Sequence, residues 1–310
     1  MKTCKSLNFC SETPTVCALG CFDGVHIGHS SIIKETKRIA NLLSIPAAVW
    51  SFAEPPKNYF SSEGVTLITS AAEKRAIMQK LGVDIFVSVH FNKNISDISA
   101  TDFFKKFLLE KMKAKHIVCG FNYRFGKGGE GDTALLRRLC ADNGIGISVM
   151  PPVELDGTTV SSTEIRKAIL SGDMKKANRY LGRPFSLRAK VIEGQKLGRA
   201  LGFPTINQSF PSDKPMLKNG VYISQVSVGN KKLYGITNVG IRPTVDGKTP
   251  YAETHIFDFN NDLYGRIVSI EFLDFMRDER KFNSVEQLSE QVFKDIEAAK
   301  SLLDSKKYTR

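Results

Sequence analysis

The decapeptide Gly20-Cys21-Phe22-Asp23-Gly24-Val25-His26-Ile27-Gly28-His29 constrains this chain more than any other stretch of its length. An apolar run, Val16-Cys17-Ala18-Leu19, precedes it. A helical pattern with apolar positions at Ile32, Ile33, Ile39 and Leu42 follows it. Glycines and two histidines therefore stand between a short buried strand and a helix N-terminus. Backbone N–H groups and the helix dipole at such a junction attract phosphate. Histidines three residues apart add donors or positive charge for a reacting phosphate. The junction points to nucleotide chemistry.

The surrounding pattern gives it a fold. Strand candidates at Val16–Leu19, Ala47–Phe52, Ile85–Val89, His116–Cys119 and Ile145–Met150 alternate with helical segments near 28–43, 70–81, 100–113 and 132–143. This alternation predicts a parallel sheet with helices on both faces. Ligands of such sheets bind outside the carboxyl ends of the strands. The decapeptide follows the first of these strands and Gly120–Asp132 the fourth, so both loops are predicted to open on one side. The second loop, Gly120-Phe121-Asn122-Tyr123-Arg124-Phe125-Gly126-Lys127-Gly128-Gly129-Glu130-Gly131-Asp132, offers aromatic faces, an amide and a carboxylate; a flexible turn would read much the same. Ser161-Ser162-Thr163-Glu164-Ile165-Arg166 has the form of a capping box. Its hydroxyls, free N–H groups and arginine suit a triphosphate, although a plain cap with a surface arginine shares the pattern. A second short helix runs to about Leu181, and Gly182-Arg183-Pro184 ends it. The domain boundary is placed there, giving 1–182 and 183–310.

The second half reads differently. Short alternating runs at Val221–Val228, Leu233–Ile236, Thr254–Phe259 and Ile267–Phe272 are separated by turn residues, which predicts an antiparallel barrel or sandwich. Ser284-Val285-Glu286-Gln287 starts a closing helix whose apolar face carries Val285, Leu288, Val292, Ile296, Ala299 and Leu303. The glycine-rich segment Lys196–Asn207 opens this half and lacks the Walker A pattern. Thr205 and Asn207 share one face of an extended segment and offer oxygen ligands for Mg²⁺. Glu253 and His255 share a strand face, and a phosphoryl acceptor hydroxyl needs a carboxylate such as Glu253 to take its proton.

Composition narrows the classes further. At 310 residues the chain has room for two cores. Hydrophobic and charged contents of 42% and 25% are those of a soluble globular protein. No apolar run is long enough for a membrane span, and no apolar stretch of signal-peptide type follows Met1–Lys5. The six cysteines show no CxxC pair or zinc-finger spacing, so reduced thiols in a cytoplasmic protein are expected. The net charge of +12 favours anionic ligands. The basic residues are dispersed without interleaved aromatics, so neither a nucleic-acid nor a membrane surface is expected. Lys111-Met112-Lys113-Ala114-Lys115 loosely echoes the second signature of class I aminoacyl-tRNA synthetases, but its serine is missing.

Together these motifs resemble the prokaryotic bifunctional riboflavin kinase/FMN adenylyltransferases, also called FAD synthetases. The first half matches the family order G-x-F-D-G-x-H-x-G-H, G-x-[DN]-[FY]-x-F-G, S-S-T-x-I-R and L-G-R-P-[FY] at Gly20–His29, Gly120–Gly126, Ser161–Arg166 and Leu181–Phe185. The second matches P-T-x-N, N-x-G-x-R-P-T, E-x-H-I-x-D-F, L-Y-G and R-[DE]-x-x-x-F at Pro204–Asn207, Asn238–Thr244, Glu253–Phe259, Leu263–Gly265 and Arg277–Phe282. Two places depart from the pattern. Phe52-Ala53-Glu54-Pro55-Pro56 lacks the histidine usual between two prolines, and Gly129 replaces an arginine often found late in the glycine-rich loop.

The resemblance implies an α/β protein. A Rossmann-like nucleotidyltransferase domain with a parallel sheet would precede an antiparallel β-barrel riboflavin kinase domain with a terminal helix. It implies phosphorylation of riboflavin by ATP to FMN, then adenylylation of FMN by a second ATP to FAD and pyrophosphate, both with Mg²⁺. His26, His29 and Arg166 would serve adenylyl transfer, with Gly20, Phe22, Asp23, Gly28, Asn122, Ser161, Ser162 and Thr163 around its nucleotide. Glu253 would be the kinase base. Thr205 and Asn207 would hold ATP–Mg²⁺ with Gly198 beside them, and Phe203, Arg277 and Glu279 would contact flavin. Two alternatives remain at this level: a kinase whose adenylyltransferase domain is weak or inactive, and a non-catalytic flavin-binding regulator.

Overall fold

Strands too apolar to face water on either side force helices onto both faces of a sheet, and the first half folds accordingly. The computed structural model describes residues 1–61, 64–194, 197–244 and 247–305. Its contacts separate two compact units, Met1–Ser162 and Thr163–Arg310. In the first unit, β1 (Lys2–Cys4), β2 (Thr15–Leu19), β3 (Ala47–Phe52), β4 (Ile85–Val89), β5 (Ala114–Gly120) and β6 (Gly146–Met150) form one sheet in the order β1-β4-β3-β2-β5-β6. Every pairing is parallel. β2 lies inside it and is buried along its whole length. Its alternate residues feed two cores: Cys17 and Leu19 join Trp50, Phe103 and Phe104, while Val16 and Ala18 join Phe22, Ile33 and Val49.

Around the sheet run α1 (Ile27–Leu43), α2 (Lys57–Phe60), α3 (Ala71–Lys80), α4 (Lys93–Ser96), α5 (Ala100–Phe103) and α6 (Thr133–Asp142). α5 continues through Phe104–Lys111 with the wider π turn. Four of the five predicted strands coincide with β2, β3, β4 and β6 to within a residue, and β5 extends the fourth at both ends. β1 has no counterpart in the sequence reading. It is three residues long and joins the sheet edge by pairing with Ile85–Val87, too short to show a period. Strand order reverses between β2 and β5, which defines a topological switch point. Leu19 pairs with Cys119 there, so the decapeptide and the glycine-rich loop leave adjacent strand ends on the same side.

A two-stranded ribbon, β7 (Glu154–Leu155) with β8 (Thr158–Thr159), leads to α7 (Ser162–Ser171) and α8 (Met174–Leu181). The remaining elements are β9 (Phe185–Lys190), α9 (Leu197–Ala200), β10 (Thr205–Ser209), β11 (Gly220–Val228), β12 (Lys231–Thr244), β13 (Gly247–Ile256), β14 (Ile267–Arg277) and α10 (Val285–Asp304). Their sheet has the antiparallel order β10-β13-β12-β11-β14-β9. It curls until its edges meet: Ile192, just past β9, bridges Asn207 on β10. The Gln208 side chain donates to Ala189 O at 2.6 Å and Val268 O at 3.0 Å across the same seam.

Inside the barrel, Ser224, Thr237 and Thr254 form a fully buried hydroxyl chain with links of 2.8 and 2.9 Å. Mutual hydrogen bonding offsets the cost of burying these polar groups. Outside, α10 packs Val292, Ile296 and Ala299 against Val221, Ile223 and Ile236. Within the second unit α8 docks on β14 and β9. Asn178 Nδ2 donates to Phe272 O and its Oδ1 accepts from Phe185 N, each at 2.8 Å.

Candidate functional site

The first candidate site lies at the switch point. Gly20 follows β2 directly, and a Cβ there would crowd the buried Phe22 ring at 2.9 Å. Phe22 and Val25 both take positive φ, 53° and 39°. Such backbone in a β-branched or bulky residue costs of order 1–3 kcal/mol and concentrates at functional sites. The turn is held from below. Asp23, 3% exposed, accepts Ile68 N at 3.1 Å and Thr69 N at 3.4 Å on one carboxylate oxygen. Ser162 Oγ donates to Asp23 O at 2.9 Å, which pins the start of α7 to the turn.

His26 is the N-cap of α1. Its Nδ1 accepts the His29 N–H at 3.3 Å, so its own proton sits on Nε2. The two imidazoles stack with centroids 3.6 Å apart, and the Phe22 edge supports His29 at 5.3 Å. Burial, then the neighbouring His26 and Lys74, push the His29 imidazolium well below the ordinary histidine range. His29 Nδ1 is buried without a hydrogen-bond partner among the described residues. A stacked imidazole pair at the start of a 17-residue helix, beside strand-end amides, suits an anionic ligand.

The glycine-rich loop is anchored rather than loose. Phe125 bridges Gly131, and Glu130 Oε1 accepts Ala100 N at 2.7 Å. Gly126, at φ 76°, comes so near α5 that a Cβ would lie 2.5 Å from Ala100 N. This leaves Asn122 exposed above the end of β5. Among the predicted nucleotide residues, the decapeptide, Asn122 and Ser162 thus cluster at the switch point. Phe22 and Asp23 turn their side chains inward and shape the loop. Arg166 lies half-buried one turn along α7, in the second unit.

Two features here escape motif reading. Lys74 on α3 is a buried cation, and no pattern marks it. Beyond β3, Phe52 packs edge-on against Phe91 at 5.1 Å, and Phe91 against Tyr59 and Phe60 at 5.4 and 5.6 Å. Phe60 is 68% exposed. In the atypical Phe52–Pro56 segment, Glu54 pairs with His90 at 3.0 Å.

The second candidate site is a cavity of about 270 Å³ on the barrel. Predicted residues Gly198, Phe203, Thr205, Glu253, Arg277 and Glu279 all line it. Antiparallel register explains the convergence. Asn207 and Asn238 flank Glu253 across β10, β13 and β12, and Thr205 pairs with His255. Thr205 Oγ1 donates to Glu253 Oε1 at 2.8 Å, which orients the carboxylate. His255 Nδ1 donates to Pro204 O at 2.9 Å, and burial lowers its imidazolium below the usual range. Asn207 is not among the residues lining the cavity; it is 4% exposed, at the barrel seam directly across from Glu253.

Arg277 is held tightly. Its Nε and Nη2 reach the Asp295 carboxylate at 3.0 and 2.7 Å, with side chains 16% and 6% exposed. Gln291 Nε2 adds a bond of 2.9 Å to the same carboxylate. Asp295 is a second residue that motifs miss, yet a signal exists. It interrupts the apolar stripe of α10 between Val292 and Ala299, where a carboxylate is buried only if paired.

A parallel sheet with a histidine-bearing helix start at its switch point, joined to a barrel with a carboxylate-walled cavity, defines a two-unit phosphate-transfer enzyme. The comparisons with known proteins narrow the class. The FAD synthetase family profile matches residues 10–164, and the riboflavin kinase profile matches 181–303. The chain is 35% identical over 289 residues to the bifunctional riboflavin kinase/FMN adenylyltransferase of Pseudomonas fluorescens, covering 93% of this chain and 92% of that protein. It is 32% identical over 309 residues to that of Haemophilus influenzae, covering 98% and 100%. A solved structure from Streptococcus pneumoniae, named a macrolide-efflux protein, superposes with a TM-score of 0.90 at 32% identity, covering 97% and 99%. This chain belongs to the family of bifunctional riboflavin kinase/FMN adenylyltransferases. Among its described residues, no helix is long and apolar enough to cross a membrane.

Proposed function

We propose that residues 183–310 phosphorylate riboflavin to FMN and residues 1–182 convert that FMN to FAD, each with its own ATP. The observation that carries this reading is that each unit has its own reactive pair: stacked His26 and His29 at the switch point, and Thr205 bonded to Glu253 in the cavity wall. In the barrel, Glu253 takes the proton of the ribityl 5′-hydroxyl as its oxygen attacks the γ-phosphorus of ATP and ADP leaves. Thr205 holds the carboxylate in place. Phe203, Val221, Ile236 and Leu288 give the flavin ring an apolar wall, and Arg277 and Glu279 contact its polar edge. Thr205 also lines a smaller recess of about 40 Å³ with Arg199, Asn260 and Tyr264, which suits a nucleotide on the far side of the acceptor.

Thr205 and Asn207 supply neutral oxygens beside a carboxylate, a donor set that fits Mg²⁺ sharing its remaining sites with phosphate and water. When bound, Mg²⁺ neutralises phosphate charge. In the first unit, an FMN phosphate oxygen bonds to the α-phosphorus of ATP, and the bond to the leaving pyrophosphate breaks. His26, His29 and the N-terminus of α1 hold the oxygens on which charge develops, and Asn122, Ser161 and Ser162 complete the nucleotide contacts. The exposed Tyr59 and Phe60 rings, beside half-buried Phe91, offer the FMN ring a stacking surface. The six cysteines form no disulfide, which suits a reducing cytoplasm.

Incubation with riboflavin, ATP and Mg²⁺, with the flavins separated by chromatography, tests the reading. FMN followed by FAD is the expected result. FMN alone would reduce the protein to a kinase, and unchanged riboflavin would leave a flavin-binding regulator.

A further inference from the structure

Lys74 is 2% exposed. Its ammonium donates to two main-chain carbonyls, Cys21 O and Phe52 O, each at 3.1 Å. These carbonyls lie at the carboxyl ends of β2 and β3, where the parallel ladder is already stretching: Gly20 N reaches Trp50 O at 3.4 Å. Ser51 Oγ lies 2.9 Å from Cys21 O and 3.2 Å from Phe52 O, but a hydroxyl has one proton and cannot satisfy both together. Lysine has three. Lys74 therefore bridges the two strand ends where their own hydrogen bonding stops. Cys21 is followed directly by the left-handed Phe22, so the bridge fixes the point from which the His26–His29 turn departs. Phe52 opens the Phe52–Pro56 segment, so the same bridge fixes the other wall.

The charge matters as well as the geometry. Burial lowers the Lys74 ammonium below the ordinary lysine range, and Cys21, Asp23 and Glu54 oppose that shift electrostatically. Glu54 is shared with His90. On the other side, His29 faces two groups that disfavour its protonation, His26 on the same turn and Lys74 from α3.

We propose that Lys74 is a positioning residue of the adenylyl-transfer site: it bridges the carboxyl ends of β2 and β3 and so fixes the two strand ends from which the His26–His29 turn and the Phe52–Pro56 segment depart. The proposal rests on the adenylyltransferase reading of the first unit. Two consequences follow. The bridge holds the imidazole stack in register with the phosphates, and the charge adds to the burial that already disfavours the His29 imidazolium while attracting the anionic substrates.

The test uses the full chain as parent, Lys74→Met and Lys74→Arg, assayed for FAD formation from FMN and ATP across pH. A displacement of about 1 Å in a catalytic constellation costs on the order of 10²-fold, and Lys74→Met should lose kcat by about that factor. Its acid limb should move to higher pH, because His29 has lost a cationic neighbour. Lys74→Arg keeps the charge but not the compact geometry, so it should lose kcat with the acid limb unmoved. NMR titration of His29 reads the same charge effect without turnover, an upward shift being expected in Lys74→Met. Parental kcat in Lys74→Met overturns the proposal, and so does a reduced kcat with neither the acid limb nor the His29 titration moved. If Lys74→Met does not fold, parental kcat in Lys74→Arg overturns it. A parent that makes no FAD overturns the adenylyltransferase reading instead, a result distinct from any difference between variants.

Discussion

The two sites are made in opposite ways. At the switch point the chemistry belongs to one contiguous loop, and most side chains near it face inward: Phe22 supports His29, Asp23 ties down Ile68 and Thr69, and Lys74 spans two carbonyls. In the proposed reading, ligand contact falls to strand-end amides, a helix start and a histidine pair. In the barrel the reactive groups come from strands far apart in the chain. Register brings Thr205, Glu253 and Arg277 to one cavity, each through its side chain. A site of the first kind leaves a compact sequence signature and depends on loop shape. A site of the second kind leaves scattered single residues and depends on individual functional groups.

That contrast predicts unequal responses to substitution. Glu253→Gln keeps the acceptor for Thr205 and removes only the base, so riboflavin phosphorylation should fall by roughly 10²–10⁴-fold. FAD formation from supplied FMN should be unaffected, as chromatography of the flavins would show. A loss of both activities would break the division into two sites. Asp295→Ala leaves Arg277 buried without its carboxylate. Breaking a buried pair in this way costs about 3–5 kcal/mol, which urea unfolding of the barrel would report together with a raised KM for riboflavin. His29→Ala removes one member of the stack and should lower FAD formation by about 10²–10³-fold while riboflavin phosphorylation stays at the parental rate. Asp23→Ala orphans the Ile68 and Thr69 N–H groups, at about 1–3 kcal/mol. It should impair FAD formation without the residue touching a ligand, and an unchanged rate would show that loop shape matters less than the contrast requires.

The smallest expected effect is pH-dependent stability. The folded His29 titrates well below 6.5, so the unfolded chain binds more protons as pH falls through 6.5 and stability declines. His116 is also lowered by burial and adds a decline of the same sign. His29→Asn should therefore flatten the acid-side loss of the first unit without abolishing it, measured by denaturant unfolding on either side of 6.5.

Local patterns were readable where one element contained its own reason. β2 and α1 follow from an apolar run, a glycine turn and helical spacing. The paired face of Glu253 and His255 follows from strand alternation, and the closing helix from its stripe. β1 was not readable, because three residues carry no period and its pairing partner lies far along the chain. The π turn at Phe104–Lys111 was not, since its apolar spacing passes for an ordinary helix. Asn207 is read on the same strand face as Thr205, while only closure of the barrel puts it at the seam, directly across from Glu253.

By itself the sequence determined the family, the order of the two units and the residues with reactive groups, because each follows from short-range spacing along one strand, turn or helix. Only the tertiary structure decided which of those groups meet, that Asp23 and Phe22 serve the loop from within, and that Lys74 and Asp295 lie beside the candidate sites. Those facts depend on strand order, register and burial, and a lone buried charge becomes visible only when the chain has closed around it.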